Sequence, residues 1–437
     1  MSDPKLHVVE SPGPYVYFVI SAFALTLLAG PLVGALLWAS QTGPGNGEGA
    51  LIEAHGWAQL LGWAGIFVAG FSLRLVPRFA GRPERSASQA IAVLALLVAG
   101  VLLRLVGQVV GPPLGWMVAV GGGTAAVGMM GVASSLVATL RNNRHGLAPW
   151  SLLAWFGSAW WVMWAGLSVV TGWVAASKGI APEALDRSAT WVVILGAIGN
   201  FIWAVQSRMV PVSFGRTLPS VRAVIVPAVA YNLGVLAILG SIPVRYFGGL
   251  PSLAAALSTA GLAVSAIAIG GLGITCGAVT GRAHRLRPAS QPLGRFITWA
   301  NRWALLAGLL LLLYSTSSVL PRAVSRLQLE DAALHALASG TVTILIAGML
   351  QLVAPIFAME RLGPGQQLKR SEVVWVLLMA AAACRVLAAL LRSLRPAWFA
   401  PLAGISGLTG WVGLALLAAA IVGARVRLAG GARPTSG

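Results

Sequence analysis

The feature that most constrains this chain is the recurrence of apolar runs long enough to cross a bilayer, separated by short polar connections. A hydrocarbon core about 30 Å thick needs roughly twenty apolar residues in helical conformation. With no water inside it to satisfy backbone amides, such runs must be helices. Twelve are expected, at about 15–40, 53–77, 87–110, 114–140, 149–174, 188–211, 221–241, 252–280, 296–320, 332–358, 372–391 and 398–424. A chain that is 57% hydrophobic and 9% charged is incompatible with a soluble globule and fits a polytopic membrane protein. Its 53 glycines read as small residues that let helices approach closely. The first run, from Tyr15, has full spanning length and no small-residue cleavage site, so no cleavable leader is expected. Cys276 and Cys384 form no metal-ligand spacing and read as small buried hydrophobes.

The net charge of +19 would suggest nucleic acid in a soluble protein. In a membrane protein it is read loop by loop, because cytoplasmic loops collect Lys and Arg. With the N-terminus inside, 19 of the 30 basic residues fall on the inner side and 7 on the outer. Arg74, Arg104, Arg302 and Arg385 fall within spans. The asymmetry predicts cytoplasmic N- and C-termini, with lipids rather than nucleic acid as the surroundings.

Pro77, Pro211 and Pro355 sit at the inner ends of the second, sixth and tenth runs, 134 and 144 residues apart. That spacing is four spans each time. The chain therefore reads as a single transmembrane domain over 1–437 built of three four-helix pseudo-repeats, about 15–140, 149–280 and 296–424. Four is even, so the units point the same way across the membrane.

All eleven acids fall in tails, loops or helix ends. A mid-membrane carboxylate is what proton pumps and cation-coupled transporters use to carry charge, so both functions are disfavoured. Of five histidines, His7 lies in the N-terminal tail, and His145 and His284 lie in basic loops beside Arg144 and Arg285. These three read as solvated. His55 and His335 differ. Each opens a long apolar run at its outer end, 22 and 20 residues before Pro77 and Pro355. The matching place in the middle repeat, Ala189 to Trp191, has no histidine. Two neutral imidazoles at matched depth suit the two axial positions of one haem iron. Such a ring also needs an apolar slot and a basic exit for its propionates. Arg104 and Arg385, in the third and eleventh runs, and Arg392 and Arg395, in the outer loop after the eleventh, are the candidates; interfacial snorkelling is the competing reading for all four. Arg74 and Arg208, three residues before their prolines, read as snorkelling.

The stretch from His55, HGWAQLLGWAGIFVAGFSLRLVPRFAG, resembles the second helix of haem-copper oxidase subunit I: a histidine, a Gly-Phe step and a Leu-Val-Pro exit. The stretch from His335, HALASGTVTILIAGMLQLVAPIF, resembles that family's tenth helix. The resemblance implies a twelve-helix, three-repeat fold in which His55 and His335 match the ligands of the low-spin haem. It also marks departures. Ala333 stands where the family has the ligand of the active-site haem, and the sixth and seventh runs, which would supply the copper ligands, contain no histidine. What the resemblance leaves is one bis-histidine haem b, with no oxygen-reducing or proton-pumping centre. His55 with GF…LVPRFAGRP, and HALASGT, are also similar to blocks of the NnrS family of nitric oxide-associated membrane proteins, which carry haem and copper. The richer histidine set of that family is only partly present, which leaves copper without an evident site.

Three functions fit this reading. The first is a haem-binding membrane protein that is not itself catalytic, acting in electron transfer or a nitric oxide or respiratory stress response beside other redox subunits. Filled axial positions favour electron transfer over gas binding. The second is a cofactor-free scaffold subunit of a respiratory complex. The third is a transporter of a neutral or anionic solute with Arg104 and Arg385 along its path.

Overall fold

The computed structural model describes residues 13–41, 48–84, 86–144, 146–177, 180–277, 291–316, 325–358 and 364–431. His7, His145 and His284, the cations Lys5, Arg85, Lys178, Arg282, Arg285, Arg287, Arg322, Arg361 and Arg433, and the acids Asp3, Glu10 and Glu360 lie outside the described residues. Among those described, twelve helices are long and apolar enough to cross a membrane. They are α1 (Tyr15–Gly34), α2 (Gly49–Phe79), α3 (Ala87–Val110), α4 (Pro112–Arg141), α5 (Pro149–Ala175), α6 (Glu183–Val212), α7 (Val221–Arg245), α8 (Pro251–Thr275), α9 (Gly294–Thr316), α10 (Arg326–Gln351), α11 (Arg370–Leu391) and α12 (Pro396–Ala420). The molecule is an integral membrane protein, and the number of spans is the expected one.

Local chemistry sets the helix ends. Ser86 and Ser220 accept from the backbone N–H of Gln89 and Ala223, capping α3 and α7. Ser325 and Gln328 form a reciprocal capping box at the start of α10. That box starts α10 six residues earlier than the expected 332, so Glu330 and Asp331 belong to the helix rather than to the preceding loop. A single residue joins α3 to α4: Gly111, at φ 86°, makes a turn that a side chain would oppose, and Pro112 then begins α4. The exits of α2 and α6 repeat one another. The N–H of Arg82 donates to the carbonyl of Pro77, that of Arg216 to Pro211, and Gly81 and Gly215 each take positive φ. This closes orphan carbonyls in the manner of a Schellman cap.

Consecutive spans pack as antiparallel neighbours, and α12 returns to touch α1. Three spans lie inside this arrangement. The apolar windows of α2, α6 and α10 are 78%, 78% and 67% buried, against 56% or less for every other span. The remaining nine turn much of their surface outward, with Trp173 and Ile267 among the exposed large side chains. Every fourth helix is thus an inner helix. Close approach at the periphery is made by glycine: a Cβ on Gly100 would meet the backbone N of Ala125 at 2.5 Å, locking α3 to α4.

Each inner helix also carries a π-helical stretch. These are Trp57–Gly65 in α2, Val192–Gly199 in α6 and Ala336–Thr343 in α10. A shorter one, Leu25–Ala29, interrupts α1. The widened turns leave carbonyls loosely held, and hydroxyls take them up: Thr341 Oγ1 donates to Ala336 O at 3.2 Å and Thr343 Oγ1 to Ala338 O at 2.9 Å. Such bulges concentrate at functional sites.

Candidate cofactor site at the paired histidines

The π stretch of α2 starts two residues after His55, and that of α10 one residue after His335. In α6 the residue before the π stretch is Trp191. The three helices therefore present His55, Trp191 and His335 at equivalent places. Trp191 is buried and its Nε1 donates to Glu330 Oε1 at 2.9 Å, tying α6 to α10.

His55 and His335 are brought towards each other. The π stretches that follow them are in contact. Trp63 and Thr343, each eight residues past its histidine, are joined by a hydrogen bond from Trp63 Nε1 to Thr343 Oγ1 at 3.1 Å. This clasp holds α2 to α10 roughly 12 Å along from the histidines, at 1.5 Å per residue.

The two imidazoles differ in their support. His335 Nδ1 lies 2.9 Å from the carbonyl oxygen of Asp331 and 3.0 Å from its Oδ1. An N–H there donates to Asp331 and leaves Nε2 with a free lone pair, the arrangement by which proteins orient a metal-ligating histidine. Asp331 is held in turn by Arg385, whose Nη1 and Nη2 donate to Oδ2 and Oδ1, both at 3.1 Å. His55 Nδ1 is buried and has no hydrogen-bond partner. A buried ring nitrogen without a partner is unusual enough to call for an explanation.

The four candidate arginines separate into two groups. Arg385 joins the histidines through Asp331. Arg392 and Arg395 are exposed on the turn before α12, and Arg392 and Arg385 flank the Phe399 ring at 4.8 and 5.9 Å. Arg104 belongs to another cluster. It is fully buried; Nη1 donates to Thr171 Oγ1 at 3.1 Å and Nη2 approaches Glu53 Oε2 at 3.5 Å. Its guanidinium stacks 3.9 Å from the centroid of Trp57. Glu53 also accepts from Gln108 Nε2 at 2.7 Å and from the N–H of Ala181 at 2.8 Å. Glu53 and His55 are two residues apart, which on a helix turns their side chains about 200° from one another. Arg104 therefore sits on the face of α2 away from His55.

Asp331, Trp63 and Thr343 beside the histidines, and Glu53 beside Arg104, are residues that reading the sequence missed. For Asp331 a signal existed: Asp331 and His335 have the i, i+4 spacing of a helical pair. Arg74, read as snorkelling, is ion-paired with Glu84 and stacks over Tyr15.

At α6 and α7 the core is polar but neutral. Asn200 and Asn232 exchange amide hydrogen bonds at 3.0 and 3.1 Å, and Trp160 Nε1 donates to Asn232 Oδ1 at 2.6 Å. Tyr231 donates to Leu195 O at 2.6 Å, within the π stretch of α6. Among the described residues, no group of three or more His, Cys, Asp or Glu side chains is placed to hold a metal ion.

No protein-family model and no curated relative matches the sequence. Among solved structures, the chain is similar to a haem-copper terminal oxidase determined as a dimer by electron cryomicroscopy. The TM-score is 0.68 at 13% identity, over 94% of this chain and 84% of that one. At that identity the likeness is one of fold. The chain is therefore an all-helical, twelve-span membrane protein with the haem-copper oxidase subunit I-like fold.

Proposed function

We propose that this protein binds one low-spin haem b between α2 and α10, with His55 and His335 as the axial ligands, and that it serves electron transfer or a respiratory or nitric oxide stress response. The observation that carries this reading is the placement of two half-buried imidazoles just ahead of the contacting π stretches of α2 and α10. The residues suit the group. His335 is oriented by Asp331 with Nε2 free, and the buried, unpartnered His55 Nδ1 is explained if that ring is fixed by coordination instead. When bound, haem would supply a one-electron couple. The protein's part is to orient both rings, exclude water with apolar walls and use the Asp331 carboxylate to strengthen His335 as a donor. Arg385, Arg392 and Arg395 are the cations on hand for the propionates. The likeness of the His55 block to the NnrS family supports the nitric oxide arm and a bacterial inner membrane, and the excess of basic residues on one side supports cytoplasmic termini.

A pyridine haemochrome assay with metal analysis, on protein purified from haem-replete cells, tests this. One haem b per chain is expected, with the low-spin spectrum lost in His55→Ala and in His335→Ala. An unchanged spectrum in either variant contradicts the assignment. A cofactor-free scaffold is the second reading, favoured by the engagement of Arg104 with Glu53 and of Arg385 with Asp331. It predicts a folded, colourless preparation.

A further inference from the structure

Four arginines lie within spans, and three of them are answered by carboxylates of this chain: Arg74 by Glu84, Arg104 by Glu53 and Arg385 by Asp331. The fourth, Arg302 on α9, is not. Among the described residues it has no carboxylate partner and no hydrogen bond; its guanidinium rests over the Trp299 ring, 4.5 Å from the centroid. The side chain is exposed. Arg302 stands eight residues past Gly294, the first residue of α9. At 1.5 Å per residue that is about 12 Å into a hydrocarbon core about 30 Å thick.

The exposed residues of α9 are Arg295, Arg302, Leu309 and Thr316, seven apart each time. They form one outward stripe, and the side chains between them are buried or half-buried. A stripe of that period is the seam along which two nearly parallel helices pack. The residues next to Arg302 in sequence turn inward: Asn301 Nδ2 donates to Gln206 of α6 at 2.7 Å, and Trp303 Nε1 donates to Met379 Sδ of α11 at 3.3 Å. Arg302 is thus held facing out by its neighbours.

A guanidinium at this depth carries a charge and five N–H donors that lipid chains cannot answer. Stacking on Trp299 offsets part of the charge and leaves the in-plane donors open. A second copy of this chain has no carboxylate to offer at that depth, because its acids lie in tails, loops and helix ends. Phospholipid phosphates lie outside the hydrocarbon, near the level of Arg295 at the end of the span, and Arg295 already pairs with Glu372 at 3.1 Å. From this contrast we infer that the outward face of α9 is the docking surface for a transmembrane helix of another polypeptide, which presents an Asp or Glu carboxylate to Arg302. The guanidinium fork matches a carboxylate through two parallel hydrogen bonds, and Leu309 packs against the same helix two turns away.

A synthetic helix tests this. The probe is a leucine-rich peptide of about 21 residues, long enough to span a bilayer, with lysines at both ends and a single central Glu. Its twin has Gln at that place. The full-length protein, with the photo-cross-linker benzoylphenylalanine replacing Leu309, is reconstituted in phosphatidylcholine vesicles with increasing amounts of peptide and irradiated. The Glu peptide is expected to reach half-maximal cross-linking at about a tenfold lower peptide-to-lipid ratio than the Gln twin, and Arg302→Leu should abolish the difference. That variant puts an apolar side chain on an outward position; unchanged cross-linking from benzoylphenylalanine at Val127, exposed on α4, checks that the fold survives it. Equal cross-linking of the two peptides, or a preference for Glu that persists in Arg302→Leu, overturns the proposal. Phospholipid that co-purifies with the wild type, is lost from Arg302→Leu and is not displaced by the Glu peptide also overturns it, and assigns the face to a lipid headgroup.

Discussion

A guanidinium buried in a membrane protein is tolerable only with its charge and donors answered, and Arg104 shows how closely the answer is built. Glu53, Thr171 and the Trp57 face surround it. Removing one partner of a buried ion pair costs about 3–5 kcal/mol, whereas replacing both with apolar residues is often near neutral. Glu53→Leu is therefore expected to destabilise the protein by about that amount in denaturation measurements in detergent. Glu53→Leu/Arg104→Met should recover most of the loss, and a double variant as weak as the single one would contradict the pairing. Asp331 has a different role, orienting His335 while held by Arg385. In the haem-bound protein, Asp331→Asn weakens the imidazole as a donor and is expected to raise the midpoint potential by roughly tens of millivolts, measured by redox titration. Both arginines stand out in the sequence because a cation inside a span demands a partner. Their partners do not, because the apolar runs start at about 53 and 332 and leave the carboxylates at the boundary.

Among the elements, the π stretches are what no periodicity reading could find. An apolar run is scored against 3.6 residues per turn, and one extra residue barely alters its composition or length. Yet each stretch sets the direction of the side chain before it relative to the rest of its helix. Deleting Ala58 from the π stretch of α2 turns His55 about 100° relative to the lower half of the helix. Haem is expected to be lost from that variant while the protein still elutes as a folded monodisperse species. A deletion within Val192–Gly199 of α6 disturbs Trp191 and Glu330 but leaves both histidines aligned, so haem should be retained. Helix starts were more accessible. Ser325 and Gln328 form a capping box six residues ahead of the expected start at 332, a local signal that the apolar run alone does not carry.

For the whole molecule, the twelve spans were legible because a bilayer imposes its thickness on composition. The positions of Pro77 and Pro211 correspond to helix exits of the same geometry in the structure. Which spans lie inside was not legible. The peripheral α3 and α11 are more apolar than the buried α2, because lipid is as apolar as a protein core and hydropathy does not distinguish the two. Sidedness rests on the distribution of Lys and Arg. A fluorescent-protein fusion at the C-terminus should fluoresce, and alkaline phosphatase inserted after Gly111 should be active, since that turn would face the periplasm. The reverse pattern would invert the molecule and move the histidines to the cytoplasmic side.

The central claim is that two imidazoles from distant parts of the chain share one iron. A near-atomic electron cryomicroscopy map of protein purified from haem-replete cells tests it most directly. The account predicts flat porphyrin density between His55 and His335, with both rings pointing at its centre. Well-resolved imidazoles with lipid or protein side chains between them, and no such density, would contradict it.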